Sequence, residues 1–140
     1  MNASTVMSPD SPGVCVLIVE DDDDSRDMMR ELVALLGHRA VGAANAAEAL
    51  HHMGVSQPQV ALIDIGLPEV DGCEVARLLR AREGGGALHL VALTGYSDGA
   101  TRDTAAAAGF DEFVVKPVMP DILEALLGKV RPPSRRATEQ

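Results

Sequence analysis

Five residues could do chemistry together: Glu20, Asp21, Asp64, Thr94 and Lys116. Four of them directly follow an apolar run, VCVLIV before Glu20, VALI before Asp64, VAL before Thr94 and FVV before Lys116, and Asp21 adjoins Glu20. Three carboxylates and one ammonium gathered in one place leave two negative charges in excess. Carboxylates that close repel, and the pKa of at least one rises unless a cation intervenes. A divalent, oxygen-seeking ion would balance the sum. Mg2+ fits, because it binds one or two carboxylates while keeping waters and a phosphoryl oxygen. The Thr94 hydroxyl and the Lys116 ammonium supply the other parts needed to hold a phosphoryl group, a hydrogen-bond donor and a positive charge. A carboxylate can itself take such a group as an aspartyl phosphate. Asp64, alone at the end of its run, is the natural acceptor.

Such a site requires a fold that brings the ends of these runs to one edge. Val14 to Val19 and Val60 to Ile65 read as strands buried on both faces, the latter interrupted only by Asp64. His89 to Leu93, ending at Thr94, and Phe113 to Val115, ending at Lys116, read as two more. Arg39 to Ala43 is a weaker strand. Between them lie helical patterns. Met29, Leu32, Val33 and Leu36 have helical spacing and stop at Gly37. Asn45-Ala-Ala-Glu48 fits an N-cap with its acidic partner and opens a helix closing near Gly54. Pro68, Asp71 and Gly72 read as a loop before a third helix with Val75, Ala76, Leu78 and Leu79, which Gly84-Gly-Gly86 breaks. An Ala-rich fourth helix follows Gly99, and Pro120 opens a last one with Ile122, Leu123, Leu126 and Leu127. Strict β-α alternation means an α/β fold, an open five-stranded parallel sheet with helices on both faces. In such sheets ligands sit beyond the carboxyl ends of the strands, where all five chemical residues fall.

The chain has 140 residues, 46% of them hydrophobic and 24% charged, enough for one ordinary domain with its own core. Its net charge of −9 argues against direct binding to nucleic acid or anionic membrane, which needs clustered Lys and Arg. Two Phe, one Tyr and no Trp leave no base-stacking platform. Cys15 and Cys73 match no C-x-x-C spacing and read as two reduced thiols. With no signal-peptide or membrane-spanning run, the expected location is cytoplasmic. The expected division is a disordered leader over 1–13, one domain over 14–130 and a flexible tail over 131–140.

Four segments carry a resemblance: VLIVEDD at Val16 to Asp22, LIDIGLPEVDG at Leu62 to Gly72, LTG at Leu93 to Gly95, and FVVKP at Phe113 to Pro117. In this order, each at a strand end, they resemble the receiver domain of bacterial two-component response regulators over about residues 14 to 130. The resemblance implies a flavodoxin-like, doubly wound sheet of order 2-1-3-4-5. It implies Asp64 as phosphoacceptor and an acidic pair, Glu20 and Asp21, holding Mg2+ or Mn2+, with Glu20 acting through water. Gly66 would lend the metal its backbone carbonyl. Thr94 and Lys116 would grip the phosphoryl oxygens, after a cis peptide at Lys116-Pro117 that aims the ammonium inward. Thr94 and Phe113 would form the switch, Phe113 without the hydroxyl that a tyrosine would bring. Gly95 stands where alanine is more usual and should loosen its loop. The implied partners are a sensor histidine kinase or histidine phosphotransfer protein and a downstream protein target, with room for a weak homodimer. The tail reads as too short for an output domain, so the expected output is through protein contacts, or by passing the phosphoryl group on to another histidine carrier. A piece of a hybrid kinase would read the same way.

Other readings compete. A pseudo-receiver that only docks proteins would keep the fold without the chemistry, and the intact set of five residues speaks against it. A phosphatase of the haloacid dehalogenase type needs a second acid two residues after its nucleophile, where this chain has Gly66. Asp22 to Asp24 suit a solvated helix N-terminus, and the run lacks the glycine and distal glutamate of an EF-hand loop. His51 and His52 are adjacent and should point apart on their helix. His38 reads as a surface residue and His89 as a strand-end residue. Met28 and Leu35 read as the flank of a wide core stripe, with a partner-docking patch as the alternative.

Overall fold

The computed structural model describes residues 13–65, 72–82, 85–95, 103 and 106–130. Five strands, β1 (Cys15–Val19), β2 (Arg39–Ala43), β3 (Val60–Asp64), β4 (His89–Thr94) and β5 (Glu112–Val115), form one parallel sheet of order β2-β1-β3-β4-β5. The chain goes outward from β1 to β2 and then returns to β3 on the other side. The strand order therefore reverses between β1 and β3, and a crevice opens at their carboxyl ends.

The two-residue period of a strand divides the core. Cys15, Leu17 and Val19 of β1 face one way, Val14, Val16 and Ile18 the other. One apolar cluster joins Leu17, Val19, Ala61, Ile63 and Leu90 to Ala49, Val75, Ala76 and Leu79 of the helices α2 (Ala46–Val55) and α3 (Gly72–Ala81). The other joins Val16, Ile18, Leu62, Val91 and Leu93 to Val33 of α1 (Asp23–Leu35) and to Leu123, Leu126 and Leu127 of the C-terminal helix (Pro120–Lys129). β1 is buried at every position, as its unbroken apolar run requires, whereas the edge strand β2 is mostly half-buried.

The helix ends follow their sequence signals. Asp22 caps α1 by accepting from the Ser25 N–H at 2.8 Å, and Asp23 and Asp24 occupy its first turn. At the other end Gly37, with φ +94°, donates to Ala34 O at 3.0 Å while His38 N donates to Val33 O at 3.2 Å, a Schellman closure. Asn45 accepts from Glu48 N at 2.9 Å, and the Glu48 carboxylate accepts from Ala44 N at 2.7 Å.

Several expectations change. α3 ends at Ala81, ahead of the glycines, and Gly85 to Ala87 form a short 3-10 turn. Gly72 is the first residue of α3 rather than part of the loop. Leu78 and Ile122 are exposed, so the stripes of their helices are narrower than read. Met28 and Leu35, 66% and 83% exposed, do not widen the core stripe of α1 at all. His38 is half-buried, not a surface residue: its Nδ1 accepts from the Val14 N–H at 3.0 Å, and burial holds its pKa below the ordinary value. His51 and His52 do not point apart; their rings meet edge to face with centroids 5.6 Å apart. Asp103 and Ala106 to Ala108 are helical. The rest of the Ala-rich helix, Pro68 and Asp71, Gly84, the tail and all but the last residue of the leader lie outside the described residues.

Candidate functional site

Register and alternation assemble the site. Val19 pairs with Ile63, so Glu20 and Asp64 are neighbours one step further along β1 and β3. Asp64 pairs with Leu93, and Thr94 with Val115, which brings Thr94 and Lys116 to the same edge. Glu20 and Asp64 continue the alternation that places Val16, Ile18 and Leu62 on the α1 side, and Lys116 continues that of Val114. Thr94 falls on the opposite phase, with Leu90 and Ala92. One side of the sheet end thus supplies the charges, and a neighbouring strand supplies the hydroxyl.

The charges meet. Lys116 Nζ lies 3.1 Å from Asp64 Oδ2 and 3.9 Å from Glu20 Oε1. Each of Glu20, Asp21 and Asp64 offers a carboxylate oxygen, all within 4.8 Å of one another. Glu20 is buried and Asp21 exposed, so the cluster reaches from the core to solvent. Burial pushes the Glu20 carboxyl above its ordinary pKa; a hydrogen bond from the Asp22 N–H pulls the other way, and the Asp64 charge adds to the rise. Carboxylates this close, with one ammonium between them, are held against their repulsion. Hard oxygen donors with excess negative charge suit a divalent cation such as Mg2+.

Thr94 is buried at the end of β4, its carbonyl accepting from the Lys116 N–H at 2.8 Å, and the Lys116–Pro117 peptide is cis. Phe113 is half-buried against the α2–α3 side of the core. Gly66 lies outside the described residues.

Two residues at the site escaped the sequence reading. Gly72 must be glycine, because a Cβ there would lie 2.5 Å from Ile65 Cα and 2.7 Å from Asp64 O. α3 therefore starts against the backbone that carries Asp64. Arg26 of α1 donates through Nη1 to the Glu20 carbonyl at 2.8 Å. Its place one turn into the helix from the acidic pair was the available signal.

The family model for the response regulator receiver domain matches residues 16–127. An uncharacterized 14.6 kDa protein of Leptolyngbya boryana is 35% identical over 75% of this chain and 80% of its own length. The receiver domain of the sensor histidine kinase PA1611 of Pseudomonas aeruginosa, solved with a magnesium ion in its active-site cleft, superposes with TM-score 0.76. Its identity is 26%, over 84% of this chain and 96% of that one. The chemotaxis protein CheY4 of Vibrio cholerae shares the fold with TM-score 0.80 at 24% identity, over 85% and 99%. This chain spans about half the length of the curated transcriptional regulators it also matches. Strand order, the strand-end charges and a family match over most of the chain agree: this chain belongs to the response regulator receiver domains.

Proposed function

We propose that Asp64 is the phosphoacceptor of a two-component or phosphorelay pathway, taking a phosphoryl group from a phosphohistidine on a kinase or phosphotransfer partner. The observation that carries this is the 3.1 Å contact of Lys116 Nζ with Asp64 Oδ2, inside the cluster formed with Glu20 and Asp21. An oxygen of Asp64 forms the new bond to phosphorus as the P–N bond to the partner's imidazole breaks, its electron pair leaving with the nitrogen. Lys116 offsets the charge of the transferring group, and the Thr94 hydroxyl is assigned to one of its oxygens. Glu20, Asp21 and Asp64, with the Gly66 carbonyl, would hold Mg2+ or Mn2+, which supplies charge neutralisation to the phosphoryl oxygens. Thr94 and Phe113 are assigned to the switch that reports the new state to a downstream protein.

The apolar Met28 and Leu35, exposed on the helix that begins at the acidic pair, support partner docking along α1. No described helix is long and apolar enough to cross a membrane, which agrees with a cytoplasmic pathway.

Intact mass after incubation with acetyl phosphate tests the reading. Wild type should gain one phosphate only with Mg2+, and Asp64→Asn, close to isosteric, should fold and gain none. A phosphate retained by the variant would move the acceptor elsewhere. No incorporation in wild type under any condition would leave a pseudo-receiver that only docks proteins.

A further inference from the structure

Glu20 is held by its backbone as well as its side chain. Its N–H donates to Ala43 O of β2 at 2.9 Å, and its carboxylate accepts from the Asp22 N–H at 3.2 Å. The remaining backbone group, its carbonyl, accepts from Arg26 Nη1 at 2.8 Å. The second arm of the same guanidinium reaches Asp23 Oδ1 at 2.5 Å. The Asp23 carboxylate is 81% exposed, so this ion pair is worth little by itself, whereas the Arg26 side chain is only 17% exposed. Its stem lies across β2 where Gly42 has no side chain. A Cβ at Gly42 would sit 3.0 Å from Arg26 Cδ and 3.1 Å from Cγ. The fork geometry is specific to arginine, since one planar group ties the strand end to the first turn of the helix that follows.

We propose that Arg26 is a positioning residue for the metal site: it fixes the β1–α1 connection so that Glu20 and Asp21 present their carboxylates together. This rests on the reading of that pair as metal-holding. Outer partners that orient ligands typically change metal affinity by about 10- to 100-fold when removed. The sign of the effect is diagnostic. Arg26 is itself a cation beside a cation site, so by charge alone its removal would tighten metal binding. Only the loss of positioning weakens it.

Calorimetric titration of the unphosphorylated protein with Mg2+ compares wild type, Arg26→Gln and Arg26→Lys. The expected result for Arg26→Gln is about a tenfold weaker magnesium affinity, with a metal-free melting temperature close to that of wild type. Arg26→Lys keeps the stem over Gly42 and one donor, and should recover part of the loss. In acetyl phosphate assays the magnesium concentration for half-maximal rate should rise in Arg26→Gln, while the rate at saturating Mg2+ returns toward that of wild type. A wild type that binds no Mg2+ overturns the metal site and this proposal with it. A wild type that binds Mg2+ while Arg26→Gln binds it equally or more tightly overturns the role of Arg26 alone.

Discussion

Lys116 and the carboxylates have opposed effects on a cation, and this gives a test at the single residue. Its ammonium, 3.1 Å from Asp64, competes with any metal for the same negative charge, yet on the proposed reading would stabilise a phosphoryl group arriving there. Lys116→Met should bind Mg2+ more tightly than wild type while taking phosphate from acetyl phosphate about 100-fold more slowly or worse. Titration calorimetry and a time course by intact mass read the two effects, and a variant impaired in both would mean that the site had collapsed. Gly72 makes a different single-residue case. Its missing Cβ leaves room for the backbone of Asp64 and Ile65, so Gly72→Ala must push α3 away from the end of β3. The expected cost is about 1–3 kcal/mol in urea unfolding, and an unchanged midpoint would show that α3 can shift freely. Glu20, Asp64, Thr94 and Lys116 were legible because each follows an apolar run, and Asp21 because it adjoins Glu20. Arg26 and Gly72 were not, since their importance lies in contacts with backbone atoms, to which the place of Arg26 one turn past the acidic pair was the one pointer.

At the scale of the element, the signals that worked were those carried by local physics. Asn45 and Glu48 cap α2 as their spacing implied, and Gly37 ends α1 because the closure requires a positive φ. Gly37→Ala should therefore cost about 1 kcal/mol or somewhat more, read by urea unfolding, and no loss would mean that the turn relaxes to another geometry. Gly95 contrasts with it. Among the described residues nothing lies within 4 Å of its missing Cβ, so they leave room for alanine there. What the sequence did not settle was the width of each apolar stripe. Met28 and Leu35 have the right chemistry for the core, but the direction in which α1 lies on the sheet decides which flank is covered, and both fall outside it. The same holds for Leu78 and Ile122. His38 errs in the opposite sense: three residues past the exposed end of α1, it is pulled under Val14 by the very turn that Gly37 makes.

Over the whole molecule the sheet separates its charges by end. The carboxyl ends hold the crowded acids of the site. At the other end Glu112 accepts from His89 at 2.8 Å and Lys129 at 2.6 Å, and Arg80 reaches Asp111 at 3.0 Å. Burial pushes the Glu112 carboxyl up, but the hydrogen bonds and charges of Lys129 and His89 outweigh it and leave it below the ordinary value of 4.5. Its contribution to stability is therefore present above pH 4.5 and lost as pH falls through the lower folded value. Glu20 has the opposite sign: its carboxyl is raised, so its contribution is full below 4.5 and lost as pH rises through the folded value. His38 is held neutral, below 6.5, so its contribution is full above pH 6.5 and lost on acidification, when a protonated Nδ1 can no longer accept from Val14. On going from about pH 7 to about pH 5, within the range where histidines titrate, His38 weakens the fold while Glu20 strengthens it. Asparagine places an oxygen near the position of Nδ1 and cannot be protonated there. Metal-free His38→Asn should therefore lose less stability than wild type over that interval, or gain some, in urea unfolding at matched pH. Parallel pH profiles for the two proteins would show that His38 stays neutral throughout and that the acid response lies with the carboxylates alone.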